Sequence, residues 1–360
     1  MTPLERLTAL GTSVWVDGLV SPAELQRLAR DGVTGLTSNP TIFRAAVLGS
    51  DRYVDRIAAL AGRSPLELYE RLAVEDVRAA ADVLAPVFAR TAGTDGFVSL
   101  EVAPALADDA DGTVAAAREL WAHVDRPNAM IKIPATTAGV EATRRAIADG
   151  INVNVTLLFS VARYAAIIDA YLDGLEQRRR RGRPVPHVAS VASFFVSRVD
   201  TAVDGLLRAR GRDDLAGRAG VANAQLAFAH STRVYAGARF AALRAAGARR
   251  QRPLWASTAT KDPRYSDVKY VDELAGPGAV NTMPPATLAA FRDHGDPGDQ
   301  LTGSRAQAHA TLATLAAAGI DLDAVTDGLL AVGVAAFAAS MDELLAGLRT
   351  ATSNTKSNAA

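Results

Sequence analysis

The chain of 360 residues contains no cysteine, which excludes both a disulfide scaffold and a cysteine-ligated metal site. It has no net charge, because 39 basic residues balance 39 acidic ones. No global field therefore draws it to nucleic acid or to a membrane surface. No segment reads as the roughly 20 apolar residues of a membrane span. The start, Met1-Thr2-Pro3-Leu4-Glu5-Arg6, lacks the basic residues and apolar stretch of a signal peptide. The expectation is a cytoplasmic protein whose partners include neither nucleic acid nor membrane. His123, His187, His230, His294 and His309 show no metal-ligand spacing. No Gly-x-Gly-x-x-Gly follows the first strand-like run, so a dinucleotide has no signature here. The expected cofactor and metal complement is none.

Lysine is also scarce. Of the 39 basic residues only four are lysines, leaving 35 arginines. One of the four, Lys132, interrupts the apolar run Met130-Ile131-Lys132-Ile133-Pro134. Arginine stays charged, whereas a desolvated ammonium can lose its proton and attack a carbonyl. The other reading is a lysine that snorkels its amine out of a sheet.

Short β-rich runs alternate with longer Ala/Leu/Arg-rich stretches of helical period, the pattern of a parallel α/β architecture. Eight strands are predicted: Ser13 to Asp17, Val33 to Thr37, Phe97 to Val102, Ala129 to Pro134, Ile151 to Leu157, His187 to Ser193, Pro253 to Ser257 and Ala279 to Met283. Eight is the number a (β/α)8 TIM barrel requires. Additional helices are predicted at Pro65 to Ala89, between strands 2 and 3, and at Arg218 to Ala246, before strand 7. Two more, Arg305 to Ala318 and Leu322 to Leu348, follow strand 8. Residues 1–349 are expected to form one domain, and the Ser/Thr/Asn/Ala-rich segment 350–360 a disordered tail. The run Arg178-Arg179-Arg180-Arg181-Gly182-Arg183 reads as a solvated loop after an amphipathic helix, Val161 to Gln177, because no aromatic residue interleaves it.

Strand side chains alternate faces, and splitting each strand by parity sends polar residues to one side. Ser13, Trp15 and Asp17 share a face, as do Ser99 and Glu101; Lys132 faces inward while Ile131 and Ile133 face outward. Asn152, Asn154 and Thr156 alternate with Ile151, Val153, Val155 and Leu157. Barrel interiors are ordinarily packed with branched aliphatics. Here four strands aim Asp, Glu, Lys, Asn and Thr at a common centre, near the ends where barrel enzymes carry their chemistry. Each residue also has a structural reading. Asp17 could cap a helix, Glu101 could pair with an arginine, and Asn152 could bond neighbouring backbone. Together they outline a Schiff-base site, in which a lysine is ringed by carboxylates, amides and hydroxyls.

Six motifs then occur in order on successive strands: Val16-Asp17-Gly18, Thr37-Ser38-Asn39-Pro40-Thr41, Ser99-Leu100-Glu101-Val102, Ile131-Lys132-Ile133-Pro134-Ala135-Thr136, Asn152 through Ser160, and Ser193-Phe194-Phe195-Val196-Ser197-Arg198. On these the chain resembles the transaldolase family in its long bacterial form, over roughly residues 12–345. The resemblance implies a barrel of the class I aldolase type. It implies transfer of a dihydroxyacetone unit from sedoheptulose 7-phosphate or fructose 6-phosphate to glyceraldehyde 3-phosphate or erythrose 4-phosphate, in the non-oxidative pentose phosphate pathway.

By the same resemblance Lys132 is the nucleophile, Asp17 the acid/base at bond cleavage, and Glu101 with Thr156 the pair that holds a catalytic water. Asn39, Asn154 and Ser193 would bind the three-carbon unit. Arg198 and Ser257 would bind phosphate. Lys261 stands where shorter relatives carry an arginine, with a different spacing, and an exposed loop lysine is its other reading. Two rival functions remain open at this point: a Schiff-base aldolase that releases its product, and a non-catalytic barrel that binds sugar phosphates. Monomer and homodimer are both compatible with the sequence.

Overall fold

Alternating β-branched and polar residues build eight short strands that a computed structural model closes into a parallel barrel in chain order. The structure describes residues 1–60 and 62–358. The strands are β1 Ser13–Asp17, β2 Val33–Thr37, β3 Val98–Glu101, β4 Ala129–Pro134, β5 Val153–Leu158, β6 Ser190–Phe195, β7 Arg252–Ala256 and β8 Val280–Met283. The expected (β/α)8 fold is present, with the additional helices where the sequence located them. Three helices lie between β2 and β3, the longest being Pro65–Arg90.

Strands β3, β5, β7 and β8 differ from expectation by one or two residues at their ends, and four elements differ by more. Strand β6 starts at Ser190 and not at His187, because residues 187–189 form the turn into it and the Ala189 N–H donates to the Asn152 side chain at 2.8 Å. The region 218–246 is two helices, Ala219–Tyr235 and Ala238–Ala245, separated at Gly237. The helix Val161–Arg180 runs three residues further than its periodicity suggested, and Arg178 is no loop residue. It is buried, and its guanidinium donates to the carbonyls of Pro184 at 2.6 Å and Ala148 at 3.4 Å. Finally, the C-terminal helix spans Leu322–Asn358, ten residues beyond the expected end at Leu348. The tail expected over 350–360 thus falls on the end of this helix and on residues 359–360, which lie outside the described residues.

Outward residues of the strands, among them Val14, Leu100, Ile131, Ile133, Val153 and Val155, pack beneath the helices. The middle of the barrel is filled by Trp15, Phe97, Met130, Val191, Leu254 and Val280. Gly35 is there because Trp15 is: a Cβ at position 35 would overlap the indole ring. Below this layer Arg252, on the first position of β7, is buried beside Asp95 at 3.5 Å and donates to Ser13 Oγ at 2.6 Å. The Trp15 indole N–H donates to Asp95 at 2.7 Å. A hydrogen-bonded ionic cluster therefore lies at the N-terminal end of the barrel, and apolar packing fills the middle. The upper third remains for polar groups.

Over that end lies the C-terminal helix. It packs against the helices Pro40–Leu48, Pro65–Arg90 and Ser197–Ala209 and against β5, with Phe337, Met341, Leu344 and Leu348 buried. Its Gly333 admits Leu157, whose side chain would lie 2.9 Å from a Cβ there. Residues Leu322–Ser353 are long and apolar enough to cross a membrane by length and composition, contrary to the expectation of no such segment. The stretch escapes notice because alanine and glycine carry much of it.

Candidate active site

The first position to consider is Lys132. Its register neighbours are Glu101 on β3 and Asn154 on β5, so parity alone puts all three side chains on the barrel interior. Lys132 Nζ lies 3.6 Å from Glu101 Oε2 and donates to the Ser38 carbonyl at 3.0 Å. Both side chains are 5 % exposed or less. The amine does not snorkel to solvent. It is held at the base of the mouth by one carboxylate and one carbonyl.

Asp17 lines the same cavity as Lys132. The helix after β1 begins at Pro22 with Ser21 as its cap, so Asp17 caps nothing. Thr37 Oγ1 donates to Asp17 Oδ1 at 2.7 Å, and Thr37 Oγ1 also meets Thr282 Oγ1 at 2.7 Å. Because the Thr37 proton is committed to Asp17, Thr282 supplies the donor of the second bond. Burial raises the Asp17 pKa, opposed by the nearby Lys132 charge and by the Thr37 hydroxyl. Burial likewise pushes Glu101 up to about 7, with Lys132 opposing and Asp17 adding to the rise. Two carboxylates that compete for one amine are thus both displaced toward the neutral form, and Glu101 is poised to gain or lose a proton near neutrality.

Two polar atoms in this region have no hydrogen-bond partner among the described residues: Glu101 Oε2 and Thr156 Oγ1. Leaving a buried polar atom unmatched costs about 1–3 kcal/mol. The backbone after Thr156 is strained as well, with Leu157 at φ 57°, a conformation that a non-glycine residue adopts only when the surroundings impose it. The structure tolerates both at the same end of β5.

Asn154 is fully buried and bridges two neighbours, donating to Ser99 Oγ at 2.9 Å and accepting from Ser193 Oγ at 2.7 Å. It fixes Ser193, which lines the cavity. Asn152, by contrast, serves backbone, donating to the carbonyls of Pro127 at 2.9 Å and Ala129 at 3.0 Å. Asn39 caps the helix Pro40–Leu48 by accepting from the Ile42 N–H at 3.0 Å. Since its oxygen is used there, its amide N–H2 is the end available to the cavity it lines.

The cavity has a volume of about 160 Å3. Arg198, Ser257 and Lys261 line its outer part. Arg198 stacks over the Phe195 ring at 5.2 Å, and its guanidinium makes no ion pair with the described residues. Ser257 adopts φ 55° and its Oγ contacts Ser197 Oγ at 2.8 Å, tying the β7 loop to the helix that carries Arg198. Lys261 is exposed in its loop yet faces the cavity. His294 is elsewhere, paired with Asp267 at 2.8 Å.

Ten residues singled out from the sequence therefore occupy one mouth. Seven of them, Asp17, Asn39, Lys132, Ser193, Arg198, Ser257 and Lys261, line its cavity; Glu101, Asn154 and Thr156 are buried on the strands around Lys132. Sequence reasoning missed Thr37 and Thr282 as supports of Asp17, the Ser38 carbonyl, and Phe337, which closes one side of the cavity. Thr37 could have been found, because it ends β2 in register with Asp17. Nothing local marks Phe337.

A closed barrel with a buried amine beside two proton-shifted carboxylates, at the C-terminal ends of the strands, defines the class: a (β/α)8 barrel enzyme with its polar site at the mouth where such barrels carry their chemistry. Within that class the assignment is narrower. Residues 14–348 match the Transaldolase/Fructose-6-phosphate aldolase family, and the chain belongs to it. The transaldolase of Saccharopolyspora erythraea is 49% identical over 355 residues, covering 96% of each chain. That of Acidothermus cellulolyticus is 51% identical over 354 residues, covering 96% of this chain and 95% of its own. The transaldolase of Mycolicibacterium smegmatis is 48% identical over 353 residues, covering 95% of both.

Proposed function

We propose that the chain is a transaldolase that moves a dihydroxyacetone unit between sugar phosphates through a Schiff base on Lys132. The observation that carries this reading is the Lys132–Glu101 pair, with an amine 3.6 Å from a carboxylate whose pKa stands near 7. A buried structural ion pair would be served as well by arginine, which supplies 35 of the chain's 39 basic residues and the cation of the buried Arg252–Asp95 pair. An amine is required only where its lone pair is used.

Lys132 Nζ attacks the ketose C2 carbonyl, and the carbonyl oxygen takes up a proton to give a carbinolamine. Loss of that oxygen as water gives the iminium. Glu101 Oε2 and Thr156 Oγ1, both without a hydrogen-bond partner among the described residues, are suited to hold the water that relays these protons. Asp17 takes the proton of the C4 hydroxyl as the C3–C4 bond breaks. The bonding electrons pass into the iminium to form the enamine, and the aldose leaves. The acceptor aldehyde is then attacked by the enamine carbon while Asp17 returns its proton to the new hydroxyl. Water finally hydrolyses the iminium and frees Lys132. Proton transfer of this kind contributes about 10²–10⁴-fold in rate.

Asn39 and Ser193 would hold the hydroxyls of the three-carbon unit, with Asn154 fixing Ser193 from below. The cavity of about 160 Å3 is small beside the ~300–1,000 Å3 of drug-sized sites, and suits a short carbon chain. Arg198 and Lys261, with Ser257, would take the phosphate. Transfer in preference to release is supported by the C-terminal helix, whose Phe337 adds an apolar wall beside the reacting groups and limits water at the enamine.

An assay with sedoheptulose 7-phosphate and glyceraldehyde 3-phosphate tests the reading. Erythrose 4-phosphate and fructose 6-phosphate should form together. Release of dihydroxyacetone from fructose 6-phosphate without an acceptor, at the rate of any transfer, would assign an aldolase instead. Binding without turnover would assign a carrier.

A further inference from the structure

At the opposite, N-terminal end of the barrel a second cavity of about 320 Å3 opens between the turns that precede β1, β3, β7 and β8. Its floor is apolar, made by Phe97, Met130 and Val191, and its rim carries Arg249, Arg250 and Arg252. No carboxylate lines it. Elsewhere in the molecule many arginines meet acids. Arg239, for example, pairs with Asp169, Asp173 and Glu176, and Arg264 with Asp213 and Asp262.

On this rim the guanidiniums meet mainly neutral groups. Arg249 donates to the carbonyls of Pro186 at 2.8 Å and Ala92 at 2.7 Å and to that of Gly93. Arg252 donates to the carbonyls of Thr94 at 3.1 Å and Ala279 at 2.9 Å and to Ser13 Oγ at 2.6 Å. Asp95, 3.5 Å from Arg252, is the one carboxylate within ion-pair range of any of the three among the described residues. Arg250 is exposed and makes no hydrogen bond or ion pair with a described residue. Three positive charges thus face one negative charge across a concave surface with an apolar floor.

The backbone makes room for two of these side chains. Gly93, at φ 72°, would bring a Cβ to 2.8 Å from Arg249 Nη1, and a Cβ on Gly278, at φ 73°, would overlap the Arg250 guanidinium. Arg250 therefore lies over Gly278 at the edge of the cavity, where a side chain at that position would displace it.

We propose that the N-terminal mouth of the barrel binds a small organic phosphate, its anionic group at Arg250 within the field of Arg249 and Arg252 and its apolar part on Phe97, Met130 and Val191. Arg250 and the exposed Thr94 hydroxyl supply the free donors. The buried Arg252 and the carbonyl-bound Arg249 supply charge without having to move. The cavity volume falls at the lower end of small-molecule sites.

Calorimetric titration with phenyl phosphate tests the proposal. Arg198→Ala serves as the reference protein, so that phosphate binding at the catalytic mouth is weakened roughly ten- to a hundredfold. A saturable site is expected that is present in the wild type, beside the catalytic mouth, and that persists in Arg198→Ala. Adding Arg250→Ala to Arg198→Ala should weaken it by about tenfold or more, the loss of one charge-assisted hydrogen bond, and Arg250→Lys should retain part of it. Arg250→Ala alone should keep the wild-type melting temperature and turnover. Phenol, which lacks the anion, should not saturate. The proposal is overturned if phenyl phosphate shows no saturable binding, if Arg250→Ala binds it as tightly as its parent, or if the site disappears with Arg198→Ala alone. The last result would assign all phosphate binding to the catalytic mouth and leave the transaldolase reading intact.

Discussion

Lys132 and Glu101 face each other at 3.6 Å with both side chains buried, and the carboxylate is the group that burial perturbs, to about 7. A carboxyl with a folded-state pKa above its ordinary value of 4.5 binds more protons in the native than in the unfolded chain between those two values. Its contribution to stability is present below pH 4.5 and is lost as pH rises through about 7. Glu101→Gln removes this dependence. Its stability relative to wild type, measured by urea unfolding, should therefore rise by roughly 3 kcal/mol between pH 4.5 and pH 8. The wild-type rate profile should carry a limb near pH 7 that the variant lacks. A constant stability difference across that range would contradict burial as the cause.

Arg198 is half-buried, stacked on Phe195 and free of any acid partner among the described residues. A charge-assisted hydrogen bond to phosphate contributes about 1.5–3 kcal/mol, so Arg198→Ala should lower kcat/KM for phosphorylated sugars by roughly ten- to a hundredfold. The loss should fall mainly on KM. Lys261→Ala, at an exposed position, should lose less. An unchanged KM in Arg198→Ala would remove the residue from phosphate binding.

Phe337 is 3 % exposed and walls the cavity from the C-terminal helix. Phe337→Ala should admit water to the enamine and raise the fraction of fructose 6-phosphate converted to free dihydroxyacetone, while transfer falls. Product ratios read by chromatography decide this. A variant with wild-type partition would show that the shielding comes from elsewhere.

Gly35 faces the Trp15 ring with no room for a methyl group. Gly35→Ala should cost about 1–3 kcal/mol by overpacking, visible as a lower melting temperature. A variant as stable as wild type would mean that the β1–β2 register relaxes freely at its existing shift between Val14 and Trp15.

Much of this site is legible in the chain because strand parity is a local rule. Once Ser13–Asp17, Val98–Glu101, Ala129–Pro134 and Val153–Leu158 are recognised as strands, the inward positions of Asp17, Glu101, Lys132 and Asn154 follow. Neighbouring strands in a parallel barrel then bring them together. What remained hidden depends on distance in sequence. Phe337 reaches the cavity from a helix that follows the last strand, and Arg252 meets Asp95 across the barrel floor. Arg178 looked like one of a solvated run, and its burial depends on the Ala148 and Pro184 carbonyls and on the space above Gly150. Each of these needs the closed barrel before it has a meaning.

The central claim is that Lys132 forms the covalent intermediate. Incubation with fructose 6-phosphate, reduction with borohydride and peptide mass spectrometry test it most directly. A reduced three-carbon adduct on Lys132, absent from Lys132→Met, is the predicted result. Folded protein that turns over sugar phosphates yet carries no adduct at Lys132 would contradict the account.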